Sequence, residues 1–214
     1  MQLFLWRQIH RKIESSVLLT WAVEEYEAMK QDQKTHRESQ QDSLFEFFPE
    51  IPEFEIVKTS SGKPLVVDGD GEPLPIHVSV THTGDWWICA VGEHPVGIDV
   101  ELKDRSVKSA LMGRICSEEE HRWLEEQIAT VGVEEKEEWL RQKMLWLWVR
   151  KEAYVKYLGT GIGEGLKTFS VVEIDGEGNW AEKEGFQAVD LVEELELVVY
   201  SPQEEVEEIR WRKW

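Results

Sequence analysis

Two acid-bearing stretches stand out in the sequence: Val96-Gly97-Ile98-Asp99-Val100-Glu101 and Trp148-Val149-Arg150-Lys151-Glu152-Ala153-Tyr154-Val155-Lys156. The first is an apolar run typical of a strand. Because side chains alternate along a strand, Asp99 and Glu101 are predicted to share one face. The second belongs to a helical pattern in which Glu152 and Lys156, four residues apart, stand one above the other. Three carboxylates and a lysine on two rigid elements suit a hard metal ion and a phosphate, which indicates phosphoryl-transfer chemistry.

The composition is that of a globular protein with an acidic surface. The 214 residues are 41% hydrophobic and 31% charged, which fits one domain or two small halves sharing a core. The net charge of -19 argues against nucleic acid and against an anionic membrane as partners. Cys89 and Cys116 lack CxxC spacing, which predicts buried, reduced thiols in a cytoplasmic protein, with a structural disulfide as the alternative. The apolar start is too short for a signal peptide, and no run approaches transmembrane length.

The order of the predicted elements indicates an α+β fold. Helical spacing extends from about Leu5 to Met29, and the polar stretch from Lys30 to Ser43 is predicted to be a mobile connection. Strands are predicted over residues 54–57, 65–67, 77–80, 86–91 and 96–101, helices over 106–116, from a capping box at 117 onward and over 134–158, and tail strands over 168–174 and 195–200. The order helix, strands, helices, strands favours two related α+β halves over a regular parallel sheet.

Each candidate motif also has an ordinary structural interpretation. The glycine-rich residues 159–165 follow a helix and lack a Lys-Ser/Thr ending, so they are interpreted as a helix-ending loop. Thr81-His82-Thr83-Gly84 can donate hydrogen bonds to a phosphate, although such a stretch alone is more typical of a hairpin turn. Asp99 with Glu101 alone is equally compatible with solvated strand-end carboxylates. Glu152 with its neighbouring lysines alone is compatible with a charged helix face.

Taken together, four segments resemble the ordered motifs of 4'-phosphopantetheinyl transferases. They are Gly62-Lys63-Pro64, residues 80–86, residues 96–101 and residues 148–156. The resemblance is to the monomeric surfactin-synthetase-activating type, in the subgroup whose last motif reads Trp-x-x-Lys-Glu-Ala. It extends from about Ile9 to Val172, and four motifs in the expected order make a chance similarity improbable.

The resemblance implies a fold and a reaction. The fold would be a pseudo-dimer of two similar halves, residues 1–100 and 101–214, each a small antiparallel sheet packed with helices, with a coenzyme A cleft between them. The reaction would be the Mg2+-dependent transfer of 4'-phosphopantetheine from coenzyme A to a serine of an apo acyl- or peptidyl-carrier protein, with release of 3',5'-ADP. Such a protein would act as a monomer in the cytoplasm.

The resemblance also implies roles for individual residues. Asp99, Glu101 and Glu152 would coordinate Mg2+, and Glu152 would serve as the general base for the carrier serine. Lys156 would stabilise the leaving α-phosphate. The residues expected to contact coenzyme A are Lys63, Thr81, His82, Lys151, Lys156 and Arg11.

Three departures keep other interpretations open. The family's N-terminal strand and the basic residues before it are expected to be missing, so the first half is expected to be shortened at its start. The segment from Lys30 to Ser43 is an unusual insertion, and the charge of -19 would repel an acidic carrier protein. One alternative is therefore a catalytically degenerate relative that binds coenzyme A or a carrier without turnover. Another is a tryptophan-rich interaction domain.

Overall fold

The computed structural model describes residues 1–8, 13–38, 53–105, 107, 112–161 and 165–213, and side chains within these except 32–38 and 212–213. The strands are β1 Gln2–Arg7, β2 Phe54–Lys58, β3 Pro64–Asp68, β4 His77–Thr83, β5 Trp86–Gly92, β6 Gly97–Leu102, β7 Val172–Ile174, β8 Trp180–Glu182, β9 Phe186–Ala188, β10 Leu195–Tyr200 and β11 Glu208–Lys213. The helices are α1 Ser15–Glu38, α2 Met112–Ile115, α3 Glu118–Ile128, α4 Lys136–Leu158 and a 3-10 turn, Leu166–Thr168. The predicted α+β class is confirmed.

Two larger sheets and two hairpins carry the strands. The first sheet has the order β11-β1-β5-β4, in which β1 and β11 run parallel and the other pairs run antiparallel. The second sheet, β6-β10-β9, is antiparallel, and β2-β3 and β7-β8 form separate pairs. Strand β6 spans the boundary expected between residues 100 and 101, and β11 returns from the end of the chain to the first sheet.

The side chains of the first sheet pack into two different cores. Leu3 and Leu5 face the second sheet and contact a cluster that includes Ile98, whereas Phe4 and Trp6 face α1. A third cluster surrounds α3 and α4 and includes Val198 of the second sheet. The order of layers is therefore α1, first sheet, second sheet, and then α3 with α4.

The N-terminal strand corrects two sequence-based expectations. Gln2–Arg7 forms β1, so an N-terminal strand that was expected to be missing is present, and Leu5 does not belong to a helix. The reason is that β1 is buried on both faces, which gives a continuous apolar run without alternation. Such a run cannot be distinguished from the start of a buried helix by periodicity alone.

The long first helix corrects a third expectation. The segment predicted as a mobile connection is helical as far as Glu38, because α1 continues through it, and residues 39–43 lie outside the described part of the chain. In the helix predicted over residues 106–116, only Met112–Ile115 is described as helical, and residues 106 and 108–111 are outside. The tail strand predicted over residues 168–174 begins only at Val172.

The boundaries of α3 and α4 follow the sequence signals. Ser117 caps α3 in a capping box with Glu120, as predicted. Helix α4 ends at Gly159, whose φ of 68° is in the left-handed region that favours glycine. No helix in the described ranges is both long and apolar enough to cross a membrane.

Two turns of the molecule share one pattern. Residues 68–72 follow β3, and residues 175–179 join β7 to β8. In each turn the first residue is an aspartate that accepts hydrogen bonds from the backbone N–H groups two and four residues later. The fourth residue of each is a glycine, with φ of 84° and 85° respectively. The two turns therefore use the same chemistry in different parts of the chain.

Candidate functional site

The candidate site lies where the two larger sheets meet at strands β4 and β6. The Oγ of Ser79 accepts a hydrogen bond from the backbone N–H of Ile98 (3.1 Å), and the Oγ1 of Thr81 accepts one from Val100 (3.3 Å). Since both partners are 19 residues further along, the two strands run in the same direction. Side-chain hydroxyls thus join the edges of two separate sheets.

A glycine brings helix α4 against the same strand. A Cβ atom added to Gly97 would lie 1.9 Å from the backbone O of Ala153 and 2.5 Å from the backbone N of Tyr157. No side chain fits at this crossing, so β6 can approach α4 this closely only with glycine at position 97. The crossing places the α4-facing side chains of β6 opposite Glu152 and Lys156.

Asp99 is the centre of the resulting group. Its Oδ1 atom accepts hydrogen bonds from the Thr81 hydroxyl (3.0 Å) and from the Lys156 ammonium (2.7 Å). Asp99 is 5% exposed and Glu152 is 7% exposed. The buried Oδ2 of Asp99 and the buried Oε1 of Glu152 have no hydrogen-bond partner among the described residues.

The electrostatics of Glu152 follow from this geometry. Burial, first, and then the nearby Asp99 carboxylate raise the pKa of Glu152 to about 6, against the opposing effect of the Lys156 and Arg105 charges. Two buried carboxylates that repel each other, each with an oxygen lacking a partner in the described structure, are a destabilising arrangement. A bound divalent cation would remove both costs, so the residues present fit the Mg2+ that the motifs imply.

Glu101 is held differently. It shares the face of Asp99, as predicted, because Thr83 donates to its Oε2 atom (3.1 Å) just as Thr81 donates to Asp99. Its other oxygen forms an ion pair with Arg105, four residues later. In the described part of the chain, no group of three or more acidic, histidine or cysteine side chains is assembled as a metal site. The structure therefore brings together Asp99 and Glu152 and leaves Glu101 in its own ion pair.

Lys151 lies in the core and is not brought to the site. Its ammonium pairs with Glu120 at 2.8 Å, and both side chains have no exposed surface. The ammonium also donates to the backbone O atoms of Leu166 (2.7 Å) and Phe169 (2.6 Å), which engages all three of its protons. Burial lowers the pKa of Lys151, and the Glu120 charge opposes that shift. This corrects the placement of Lys151 near the phosphates, since adjacent helix residues point about 100° apart.

The side chain of Lys63 connects the turn before β3 to α4 and to β6. Its ammonium donates to the backbone O of Tyr157 (2.8 Å), near the end of α4, and to that of Val96 (3.4 Å), just before β6. Burial lowers the pKa of Lys63. In this arrangement the side chain holds the crossing of α4 and β6 together.

The remaining predicted residues are distributed as follows. Thr81 and Thr83 are part of β4 rather than of a turn, because the strand continues to Thr83. His82 is exposed on the face of β4 opposite to Thr81, since side chains alternate along the strand. Arg11 lies outside the described residues.

An open cleft adjoins the site at the β4–β5 turn. Its volume is about 470 Å3, and its lining includes Gly84, which follows Thr83, and Leu102, which follows Glu101. Arg7 also lines the cleft and pairs there with Glu194 at 3.6 Å.

Sequence reasoning missed three residues that shape the site: Thr83, Gly97 and Arg105. Thr83 and Gly97 were inside quoted motifs, so only the contacts reveal what each one does. Arg105 lies outside the motifs. Its signal was a basic residue four positions after a predicted metal ligand, shortly after the strand ends.

A family model matches the part of the chain that contains β6 and α4. Residues 95–201, half of the chain, match the model of the 4'-phosphopantetheinyl transferase superfamily. This protein therefore belongs to the 4'-phosphopantetheinyl transferase superfamily.

Individual relatives agree with that assignment. Over 113 residues, 52% of this chain, it is 30% identical to the 4'-phosphopantetheinyl transferase gsp of Aneurinibacillus migulanus. It is 34% identical to psf-1 of Bacillus pumilus over 110 residues, and 32% identical to Sfp of Bacillus subtilis over 111 residues, both also 4'-phosphopantetheinyl transferases. The aligned part of the chain spans 41%, 42% and 43% of the length of these three relatives.

Proposed function

We propose that this protein transfers the 4'-phosphopantetheine arm of coenzyme A to a serine hydroxyl of an apo acyl- or peptidyl-carrier protein, releasing 3',5'-ADP. The observation that carries the proposal is the group formed by Asp99, Glu152 and Lys156. It combines two buried carboxylate oxygens without partners in the described structure and one ammonium. Family membership supports the reaction class, and the motif Trp148–Ala153 supports the Trp-x-x-Lys-Glu-Ala subgroup.

The metal would be held by Asp99 and Glu152, with Glu101 as a third ligand once it leaves its ion pair. Bound Mg2+ would offset the charge that develops on the pyrophosphate as its bond breaks. Lys156, already 2.7 Å from Asp99 and 30% exposed, would stabilise the negative charge of the leaving 3',5'-ADP.

Glu152 would accept the proton of the carrier serine, directly or through a water molecule. In the metal-free protein, burial and then Asp99 raise the pKa of Glu152 to about 6, and because a bound cation would favour the ionised carboxylate, Glu152 would be able to accept a proton at neutral pH. The Thr81 hydroxyl, which donates to Asp99, would keep that carboxylate oriented.

Coenzyme A would lie between two halves of a pseudo-dimer, residues 1–100 and 101–214. In support, the site lies where β4 of one sheet meets β6 of the other. Lys63, Thr81, His82 and Arg11 remain the proposed coenzyme contacts, together with Lys156 at the leaving group. For Lys63, this requires exchanging a backbone carbonyl for a phosphate oxygen.

We also propose a cytoplasmic monomer that contacts neither nucleic acid nor membrane. The two cysteines support a reducing compartment, because Cys89 and Cys116 are buried free thiols rather than a disulfide. The net charge of -19 opposes binding to polyanions such as nucleic acid.

A second candidate function is binding of coenzyme A or a carrier without turnover. The specific observation in its favour is that two of the expected phosphate-binding cations are engaged within the protein. Lys151 is paired with Glu120, and Lys63 is bonded to backbone carbonyls.

The decisive experiment is a mass measurement on a panel of apo acyl- and peptidyl-carrier proteins. We expect the unaltered chain, with coenzyme A and Mg2+, to add phosphopantetheine to the carrier serine, and a carrier with serine replaced by alanine to stay unchanged. A chelator should abolish the reaction. Coenzyme A binding by calorimetry without any mass shift on the panel would instead support the non-catalytic candidate.

A further inference from the structure

Arg105 is positioned to influence the metal site through a residue that it contacts directly. Its guanidinium pairs with Glu101, which is 8% exposed and whose other oxygen accepts a hydrogen bond from Thr83. Glu101 is thus the one member of the proposed metal set whose carboxylate already has a cation and a donor of its own outside the Asp99–Glu152 group.

The backbone around Arg105 is fixed, whereas its side chain is accessible. Arg141 of α4 donates to the backbone O atoms of Lys103 (2.7 Å) and Arg105 (3.2 Å), and Glu138 holds Arg141 in turn. The Arg105 side chain is 48% exposed, and its guanidinium carbon lies 5.7 Å from the centre of the Trp148 ring. The guanidinium is therefore the part of this segment that can change partners.

We propose that Arg105 competes with the divalent cation for the Glu101 carboxylate and so lowers the metal affinity of the free protein. A guanidinium and a metal ion repel each other, and both need the same oxygens of Glu101. The cation gains its third carboxylate only when the Arg105 ion pair opens. This role rests on the proposed function of the Asp99–Glu152 site, and Arg105 acts in it as a positioning residue through Glu101.

Magnesium titration calorimetry on the full chain, without coenzyme A, tests the competition. We expect Arg105→Gln to tighten Mg2+ binding about threefold, the size expected from loss of a partly exposed ion pair. Lys103→Gln removes the same charge from the same segment and should tighten binding less. Arg105→Lys keeps the charge and should bind as the unaltered chain does. Melting curves of all variants report whether each one is folded.

A double variant tests whether Arg105 affects Mg2+ binding through Glu101. In a Glu101→Gln background, Arg105→Gln should tighten Mg2+ binding much less, because the contested carboxylate is already gone and only the longer-range effect of the Arg105 charge on Glu152 is left. Equal tightening in both backgrounds would overturn the proposal, as would tightening by Arg105→Gln no larger than by Lys103→Gln. If the unaltered chain binds Mg2+ and modifies a carrier, such a result removes only this inference. If it does neither, the proposed function falls as well.

Discussion

Helix α4 contributes residues to two groups of buried acids and lysines that are in contrasting states. On one side, Lys151 and Glu120 form a fully buried ion pair in which every ammonium proton has an acceptor. On the other, Asp99, Glu152 and Lys156 leave two buried carboxylate oxygens without a partner in the described structure. The first group is complete within the described chain, whereas under the proposed function a bound cation would complete the second.

The difference shows how to tell a structural charge from a functional one. Both groups place a buried glutamate beside a lysine, so burial of the acid does not separate them. The two groups differ in whether every buried polar atom has a hydrogen-bond partner. Buried polar atoms in native proteins nearly always have one, so an exception has a reason. Here the exception coincides with a raised pKa for Glu152 and a match to a transferase family.

Breaking the buried ion pair of Lys151 and Glu120 should have the largest effect on stability. Lys151→Met leaves Glu120 as an uncompensated buried charge, and we expect a loss of about 3–5 kcal/mol in the free energy of unfolding. Urea unfolding measures it. Glu120→Gln with Lys151→Met removes both charges and should recover part of the loss. A Lys151→Met protein as stable as the unaltered one would mean that the pair is not a structural element.

Removing Lys156 from the group with Asp99 and Glu152 should instead reduce the rate of carrier modification. Lys156→Met removes the cation proposed to stabilise the leaving group, and we expect the rate constant for carrier modification to fall about 10²–10³-fold. Lys136→Met, at the far end of the same helix, is the matched control and should transfer at the normal rate. A Lys156→Met enzyme with full activity would remove Lys156 from the mechanism.

The crossing of β6 and α4 should be intolerant of added volume. In Gly97→Ala the new Cβ would lie 1.9 Å from a backbone oxygen of α4, so the two elements must separate. We expect a loss of about 3 kcal/mol in the free energy of unfolding, together with reduced transfer. Gly113→Ala, where a Cβ has open space, is the comparison. Equal melting temperatures for the two variants would contradict the close approach.

The pH dependence of stability should report the strain at Glu152. Its pKa is about 6 in the folded protein, above its value of 4.5 when unperturbed, so the folded state binds more protons between these pH values. Stability from this group is therefore highest at low pH and falls as the pH rises towards 6, by about 2 kcal/mol. In Mg2+-free buffer, Glu152→Gln should be stabilising at pH 7 relative to its effect at pH 4. An identical effect at both values would show that the pKa is not raised.

The sequence was sufficient to predict the elements that carry the site. The alternation of residues 96–101, the helical pattern ending at Gly159 and the capping box at Ser117 are local signals, and each is confirmed. β1 was misinterpreted because a strand buried on both faces loses its alternation. β11 was missed because a charged C-terminal stretch becomes a strand only by pairing with β1, about 200 residues away.

The sequence alone could not show which lysine of α4 pairs with a core acid and which one belongs to the site. Lys151 and Lys156 belong to the same motif, and a motif does not say which side chain faces a core acid and which faces Asp99. That distinction depends on how α3 and β6 pack around the helix. The role of Glu101 depends in the same way on where the segment after β6 places Arg105.

The rate of carrier modification by Glu152→Gln tests the central claim most directly. The substitution preserves the shape of the side chain and removes both the proposed base and a metal ligand. In a single-turnover assay with coenzyme A, Mg2+ and a carrier that the unaltered chain modifies, we expect at least a 10²-fold slower gain of mass, in a protein that melts no lower than the unaltered one. Transfer at the unaltered rate would contradict the assignment of this group as the catalytic site.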